Sequence, residues 1–248
     1  MYTQPATTLT PALVVYLIDA SDSMNERCGE TTKIGLVNAA LRAMVKDMVR
    51  RSMRDGVVQR RYRLAIIAYS STVLDVLNGI RDLTDLLAKG VPELRAGGVT
   101  DTAGGFAHVE ELLRAHLQEF QRCPAPLVCH LTDGFFTTDD PAPTIQRVQA
   151  LTVDDGAPLI ENIYFADGML RKPVRDWREW GGVTRAGDLV DEYARYLFKL
   201  SSPLPETYRQ NLNNYGYHLQ PNAALFFPGI HNDLVRLAFT VSSATQLK

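Results

Sequence analysis

The sequence contains only three cysteines, Cys28, Cys123 and Cys129, and their spacing fits neither a metal-binding pair nor a disulfide framework. It also lacks a basic amino-terminal segment followed by an apolar signal core. No uninterrupted apolar run approaches the roughly 20 residues that are needed to cross a bilayer. We therefore expect a soluble protein of a reducing, cytoplasmic compartment, without a membrane as partner.

An excess of charge of either sign is also missing. The chain has 26 basic and 28 acidic side chains, which gives a formal net charge of −2 at neutral pH. Proteins that bind nucleic acid through its phosphates carry a clear basic excess. We therefore do not expect nucleic acid as a partner.

Short apolar runs alternate with longer amphipathic stretches. The apolar runs occupy residues 13–19, 62–70, 127–132 and 159–166, and such runs are typical of strands that are covered on both faces by helices. Helical periodicity begins at Ile34 in one intervening stretch and at Phe106 in another. The alternation predicts an α/β fold with a doubly wound, mostly parallel central sheet and helices on both faces, as in Rossmann-like folds.

One strand is expected to run against the others. Residues 72–77 follow the second predicted strand after almost no linker. Parallel neighbours need a long crossover connection. The short connection therefore predicts one antiparallel edge strand.

The character of the chain changes near residue 200. Residues 188–200 predict a further helix, which a Ser-Ser-Pro-Leu-Pro segment ends. We divide the chain into a domain at 1–200 and a C-terminal extension at 201–248, packed on the domain or on a partner. Residues 225–229 are too apolar to be left in water, and the alternation between Val235 and Val241 predicts a half-buried strand.

Side chains that carry oxygen follow several of the predicted strands. Asp19, Ser21 and Ser23 come directly after the first strand, Thr100 precedes the second amphipathic helix, and Asp133 follows the third strand. Because the carboxyl ends of parallel strands lie at one edge of a sheet, we expect these side chains to meet. Oxygen ligands without a His/Cys cluster favour Mg²⁺ or Mn²⁺ over zinc.

Each of these segments also has a simpler interpretation. Ser, Thr and Asp after a strand or before a helix are common turn and cap residues, so a structural scaffold without metal stays open as an alternative. Glu26, which lies close to the first segment in sequence, is expected to be solvated and without a role. His130 lies within an apolar run and is expected to be a hydrogen-bonded core histidine.

The order Asp-x-Ser-x-Ser, then Thr, then Asp resembles the von Willebrand factor A domain and its metal-ion-dependent adhesion site, over roughly residues 10–200. All five ligand positions of that site are filled, by Asp19, Ser21, Ser23, Thr100 and Asp133. The resemblance implies that the hydroxyls bind the metal directly, while the two aspartates act largely through water or orient the other ligands. It also implies that an Asp or Glu of a protein partner completes the coordination of the metal.

Within the family, the segment after residue 201 resembles that of bacterial stand-alone members of the TerY type. Those proteins are associated with a PPM-type protein phosphatase and a serine/threonine kinase in stress, tellurite-resistance or defence gene clusters. The resemblance implies a non-enzymatic, metal-dependent adaptor in bacterial phosphorylation signalling. Other relatives are partners of MoxR-type or chelatase ATPases, and this is the alternative within the binding class.

An enzyme is the alternative from another class. A magnesium-dependent phosphatase would use Asp19 as its nucleophile. Haloacid-dehalogenase-like enzymes, however, place an acidic residue two positions later, where this chain has Ser21. A serine hydrolase is disfavoured because the sequence has no Gly-x-Ser-x-Gly segment.

Overall fold

The fold is described by a computed structural model that covers residues 2–229 and 231–247. The strands of these residues are β1 (Ala12–Asp19), β2 (Arg27–Cys28), β3 (Thr31–Thr32), β4 (Met53–Arg54), β5 (Val57–Val58), β6 (Tyr62–Tyr69), β7 (Val73–Asp75), β8 (Arg81–Asp82), β9 (Leu127–Thr132), β10 (Leu159–Tyr164) and β11 (Phe226–Pro228). The α-helices are α1 (Lys33–Ser52), α2 (Leu83–Lys89), α3 (Thr102–His116), α4 (Ala142–Gln149), α5 (Glu192–Leu200), α6 (Glu206–Asn213) and α7 (Asn232–Val241). Among the described residues, no helix is both long enough and apolar enough for a membrane span.

A seven-stranded sheet forms the centre of the fold. Its strand order is β11-β10-β9-β1-β6-β7, and β8 also pairs with β6. Strand β1 is parallel to β6 and β9, β10 is parallel to β9 and β11, and β7 and β8 run antiparallel to β6. The predicted mostly parallel sheet with an antiparallel edge is confirmed.

Strand β1 lies in the middle of the sheet, and all eight of its residues are buried. Its alternate side chains enter two cores on opposite faces. Tyr16 belongs to the core that α1, α2, α6 and α7 cover, whereas Leu17 belongs to the core that α3 and α4 cover. Since both faces are covered, β1 can contribute to a ligand site only at its ends, and Asp19 lies at the carboxyl end.

The segment after residue 201 is part of this structure. Strand β11 adds to the edge of the sheet beside β10, and the Tyr62 hydroxyl donates a hydrogen bond of 3.0 Å to the carbonyl of Ser243. The ranges 1–200 and 201–248 also include Met1, Ile230 and Lys248, which lie outside the described residues.

The predicted strand between Val235 and Val241 is wrong, because this segment forms helix α7. Its buried residues are Leu234, Val235, Leu237, Ala238, Phe239 and Val241. Leu234, Leu237, Ala238 and Val241 keep the i, i+3, i+4, i+7 spacing of a helix. The additional buried residues Val235 and Phe239 also create an alternation with Leu237 and Val241, and this alternation imitates a strand.

His130 lies on β9 and is fully buried in a polar network. Its Nδ1 donates to Asn162 Oδ1 at 2.7 Å, and its Nε2 accepts from the Tyr69 hydroxyl at 2.8 Å. Asn162 in turn donates to the Ser201 hydroxyl at 2.9 Å. Burial lowers the pKa of His130 to about 4, so the ring is neutral at pH 7 and is the expected core histidine.

Glu161 on β10 lies on the face of the sheet opposite to His130, and its buried carboxyl gives a testable prediction for stability. Its side chain is buried, and burial raises its pKa well above the usual value, while an interaction with the Cys129 thiol opposes this rise only in part. We expect Glu161→Gln to be increasingly more stable than the wild type above pH 4.5, the usual pKa of this carboxyl. The difference should grow by up to about 1.4 kcal/mol per pH unit, because the unfolded carboxyl loses its proton first.

Urea denaturation between about pH 4 and pH 8 measures this difference as the free energy of unfolding. The exposed Glu93→Gln is the matched control and should show no such trend. A Glu161→Gln advantage that does not change with pH would contradict the expectation.

Candidate metal centre

Asp19 closes β1 with a buried carboxylate that is held on both sides. Its Oδ1 accepts from the Ser21 backbone N–H at 2.9 Å, and its Oδ2 accepts from the Thr132 hydroxyl at 2.7 Å. Burial raises the pKa of the Asp19 carboxyl, hydrogen bonds from Ser21 and Thr132 oppose this rise, and the charge of nearby Asp133 adds to it. The carboxylate therefore fixes the start of the loop after β1 against the end of β9.

Ser21 and Ser23 connect Asp19 to Asp133. The two serine hydroxyls are 3.2 Å apart, and the Ser23 hydroxyl donates to Asp133 Oδ1 at 2.7 Å. Ser23 lies in a short 3₁₀-helix, Asp22–Asn25, which directs its side chain towards Asp133. Four of the five residues predicted from the sequence thus form one hydrogen-bonded path.

Thr100 is placed by backbone contacts. The loop 97–100 packs against the loop after β1, because the Asp22 N–H donates to the Gly98 carbonyl at 2.9 Å. On its other side, the Thr137 N–H donates to the Thr100 carbonyl at 2.9 Å. Within residues 2–229 and 231–247, the Thr100 hydroxyl forms no hydrogen bond, so no side-chain hydrogen bond joins it to the other four residues.

Lys33 is a charged residue of the candidate site that the sequence analysis did not include. Its Nζ lies 2.7 Å from Asp133 Oδ2 and 2.6 Å from Glu26 Oε2. The Asp133 side chain is 0% exposed and that of Lys33 is 14% exposed, so this pair is shielded from water. Burial opposes the charge of Lys33, but the hydrogen bonds to Asp133 and Glu26 outweigh it and raise the Lys33 pKa.

A signal for this lysine was present in the sequence. Lys33 is the first residue of α1, and the Thr32 hydroxyl caps the helix by accepting from the Gly35 N–H at 3.1 Å. A helix amino terminus carries a partial positive charge and disfavours a lysine. A lysine at this position therefore indicates a nearby anion. Glu26, expected to be solvated, is indeed exposed, but it is also the second carboxylate that contacts Lys33.

The donor set fits a hard divalent cation. Its members offer only oxygen atoms, namely carboxylates from Asp19 and Asp133 and hydroxyls from Ser21, Ser23 and Thr100. Among the described residues, no group of three or more His, Cys, Asp or Glu side chains has the arrangement of a metal site. A metal at this edge of the sheet would therefore depend on the hydroxyls, and neutral oxygen donors suit Mg²⁺ or Mn²⁺.

A sequence comparison independently covers this region. Residues 14–135 match the family model of the von Willebrand factor type A domain. The von Willebrand factor A match starts within β1 and ends two residues after Asp133, so it contains all five predicted ligands. No curated protein matches the chain.

Solved structures with a similar fold include three proteins of low sequence identity. A von Willebrand factor type A protein from Catenulispora acidiphila is 13% identical, with a TM-score of 0.54, over 95% of this chain and 43% of that one. Proximal thread matrix protein 1 of the mussel byssus is also 13% identical, with a TM-score of 0.58, over 97% and 49%. The pilus adhesin SpaC from Lactobacillus rhamnosus GG is 12% identical, with a TM-score of 0.57, over 98% and 31%.

This chain thus spans less than half the length of each of these structures. At such identities the similarity establishes the fold alone. It supports the strand order and the position of the loops.

Thr132 tests how the site is held together. We expect Thr132→Val, which keeps the shape of the side chain, to lower the free energy of unfolding by about 1–3 kcal/mol, because it leaves one buried oxygen of Asp19 without its donor. Thermal and urea denaturation in a metal chelator measure the effect. Thr8→Val is the matched control, since Thr8 is exposed; equal stability of the two variants would show that the hydrogen bond to Asp19 is dispensable.

Proposed function

We propose that this chain is a non-enzymatic, metal-dependent protein-binding adaptor. Asp19, Ser21, Ser23, Thr100 and Asp133 would hold Mg²⁺ or Mn²⁺ at the carboxyl edge of the sheet. The observation that carries the proposal is the hydrogen-bonded path from Asp19 through Ser21 and Ser23 to Asp133. That path gathers residues that are up to 114 positions apart in the sequence.

The chemistry of these side chains favours binding. When bound, the divalent cation would supply an electrophilic position for a carboxylate from outside the chain. Asp19 uses both oxygens to hold Ser21 and Thr132, so its role is to orient the serines. The hydroxyls of Ser21 and Ser23 are neutral and would leave much of the metal charge unbalanced.

Two exposed apolar side chains flank the site and support a protein partner. Val99 precedes Thr100 and is 53% exposed, and Phe135, two residues after Asp133, is 58% exposed. The Phe135 ring packs on Tyr193 with a centroid distance of 4.2 Å, which limits its freedom. Large apolar residues beside a polar centre are typical of protein-binding surfaces.

A phosphatase that uses Asp19 as its nucleophile receives less support. The Asp19 side chain is buried, and each of its oxygens already accepts a hydrogen bond. A cavity of about 400 Å³ lies elsewhere, within residues 170–188, and none of the five oxygen-bearing residues lines it. An attacking carboxylate needs a free oxygen that faces a substrate.

The resemblance to proteins of the TerY type suggests the partners. We include in the proposal a cytoplasmic bacterial protein that joins a PPM-type phosphatase and a serine/threonine kinase in a stress, tellurite-resistance or defence system. A MoxR-type or chelatase ATPase is the alternative partner. In each case the partner would contribute an Asp or Glu to the metal.

Metal binding is tested by the double substitution Ser21→Ala and Ser23→Ala. We expect Mn²⁺ or Mg²⁺ to bind at least about tenfold more weakly, a loss of about 1.4 kcal/mol or more, because two neutral ligands are removed. Isothermal titration calorimetry measures the affinity, and circular dichroism checks the fold. Ser70→Ala, after the neighbouring strand β6, is the matched control; wild-type affinity in the double variant would refute the assigned ligands.

Partner binding is tested by affinity capture from the native host with and without EDTA. We expect the wild type and Ser70→Ala to retain a kinase or PPM-type phosphatase only in the presence of Mg²⁺ or Mn²⁺, and the double serine variant to lose it. Mass spectrometry separates this result from capture of an ATPase. The adaptor proposal fails if a folded double variant keeps every metal-sensitive partner, and metal-dependent hydrolysis of p-nitrophenyl phosphate that Asp19→Asn abolishes would instead support the phosphatase.

A further inference from the structure

We infer that the Lys33 ammonium competes with the metal for the carboxylate of Asp133 and thereby lowers the metal affinity of the site. The inference rests on the proposed metal-binding function and adds a residue to it. The observation that carries it is the contact of Lys33 Nζ with Asp133 Oδ2 at 2.7 Å. The other oxygen of the same carboxylate accepts from the Ser23 hydroxyl at 2.7 Å.

Both carboxylate oxygens of Asp133 therefore already have a contact partner. One oxygen faces the serines of the candidate centre, and the other contacts an ammonium in a site from which water is largely excluded. Two cations that share one carboxylate repel each other, and the repulsion is strong where water does not screen it. A metal that draws on Asp133 must therefore weaken the contact with Lys33 or bind more weakly itself.

The position of Lys33 shows that the ion pair is built into the fold. Lys33 begins α1, a helix of 20 residues whose first turn is fixed by the Thr32 cap. The partial charge at the start of that helix opposes a lysine. Attraction from Asp133 and Glu26 overcomes this cost, so the ammonium compensates buried carboxylate charge.

Glu26 offers the Lys33 ammonium a second carboxylate contact. Its carboxylate lies 2.6 Å from Lys33 Nζ and its side chain is 66% exposed. The lysine can therefore give up Asp133 and keep a carboxylate contact at the surface. Glu26 thus acts through Lys33 and makes room for the metal.

The test is Lys33→Met, which keeps the length of the side chain and removes its charge. We expect Mn²⁺, titrated alone in a calorimeter, to bind at least about tenfold more tightly than to the wild type, since one repelling charge is gone. In EDTA the same variant should melt at a lower temperature than the wild type, because Asp133 has lost its counter-charge. Adding Mn²⁺ should therefore raise its melting temperature more than that of the wild type.

Two further lysine variants serve as controls. Lys33→Arg keeps the charge and should stay within about threefold of the wild-type Mn²⁺ affinity, because a guanidinium can also pair with carboxylates. Lys46→Met removes one positive charge from an exposed position of the same helix and should change neither the affinity nor the melting temperature in EDTA. If Lys46→Met also bound Mn²⁺ more tightly than the wild type, the effect would come from overall charge, and the inference would be overturned.

A double-mutant cycle tests the role of Glu26. Glu26→Gln should weaken Mn²⁺ binding in the wild type, because Lys33 then has Asp133 as its carboxylate partner and holds it more firmly. The same change should have a smaller effect in the Lys33→Met background. Equal effects in the two backgrounds would mean that Glu26 acts on the metal directly, and this part of the inference would fall.

The outcomes separate the inference from the proposed function. If Lys33→Met binds Mn²⁺ and the wild type does not, the inference stands and the proposed metal-dependent function of the natural chain fails. If both bind with equal affinity, the function stands and the inference fails. If neither binds, both fail.

Discussion

A charged carboxylate that is removed from water needs donors for its oxygens, and Asp19 imposes this requirement at the centre of the sheet. β1 is covered on both faces, so the carboxylate at its end cannot turn to solvent. One donor is the backbone of the loop after β1, and the other is the hydroxyl at the end of β9. Satisfying a single buried charge therefore fixes two neighbouring loops and brings Ser21 and Ser23 towards Asp133.

The charges around this centre are only partly balanced within the chain. Asp19, Asp133 and Glu26 are three carboxylates, and Lys33 is the one cation that contacts any of them among the described residues. A divalent ion would suit such a surplus of negative charge, provided that the lysine can move aside. Under the proposed function, the same carboxylates would repel an acidic partner unless a metal were bound.

Much of the fold could be predicted because buried parallel strands leave a direct signal. The apolar runs that predicted β1, β6, β9 and β10 agree with the structure to within a few residues, and the short connection after β6 gave the antiparallel edge. Helix α7 was missed because its apolar residues fit two periods: Leu234, Leu237, Ala238 and Val241 follow helical spacing, whereas Val235, Leu237, Phe239 and Val241 alternate. A short apolar segment that fits both periods is decided by its contacts in the folded chain, which a local pattern does not contain.

In the candidate site, too, some positions follow from local sequence patterns and others depend on contacts in the folded chain. Four of its five residues could be placed together because strand ends converge, whatever the details of the side chains. The contact of Lys33 with Asp133 joins residues that are 100 positions apart. A lysine at a helix start indicates a nearby anion, but the local sequence does not identify which carboxylate it contacts. Thr100 was placed beside the other ligands on the same strand-end argument, but its loop is held by backbone hydrogen bonds.

The pairing of Tyr16 with Ser242 has a consequence for how the protein is made. These hydroxyls are hydrogen-bonded across 226 positions of sequence, in the core around the central strand. During synthesis, β1 leaves the ribosome long before α7, so the part of its apolar face that α7 covers stays open after α1 and α2 are available. Contacts of such long range slow folding and lengthen the time for which a nascent chain can aggregate. Slow closure of this part of the core is therefore the expected cost of a contact between residues so far apart.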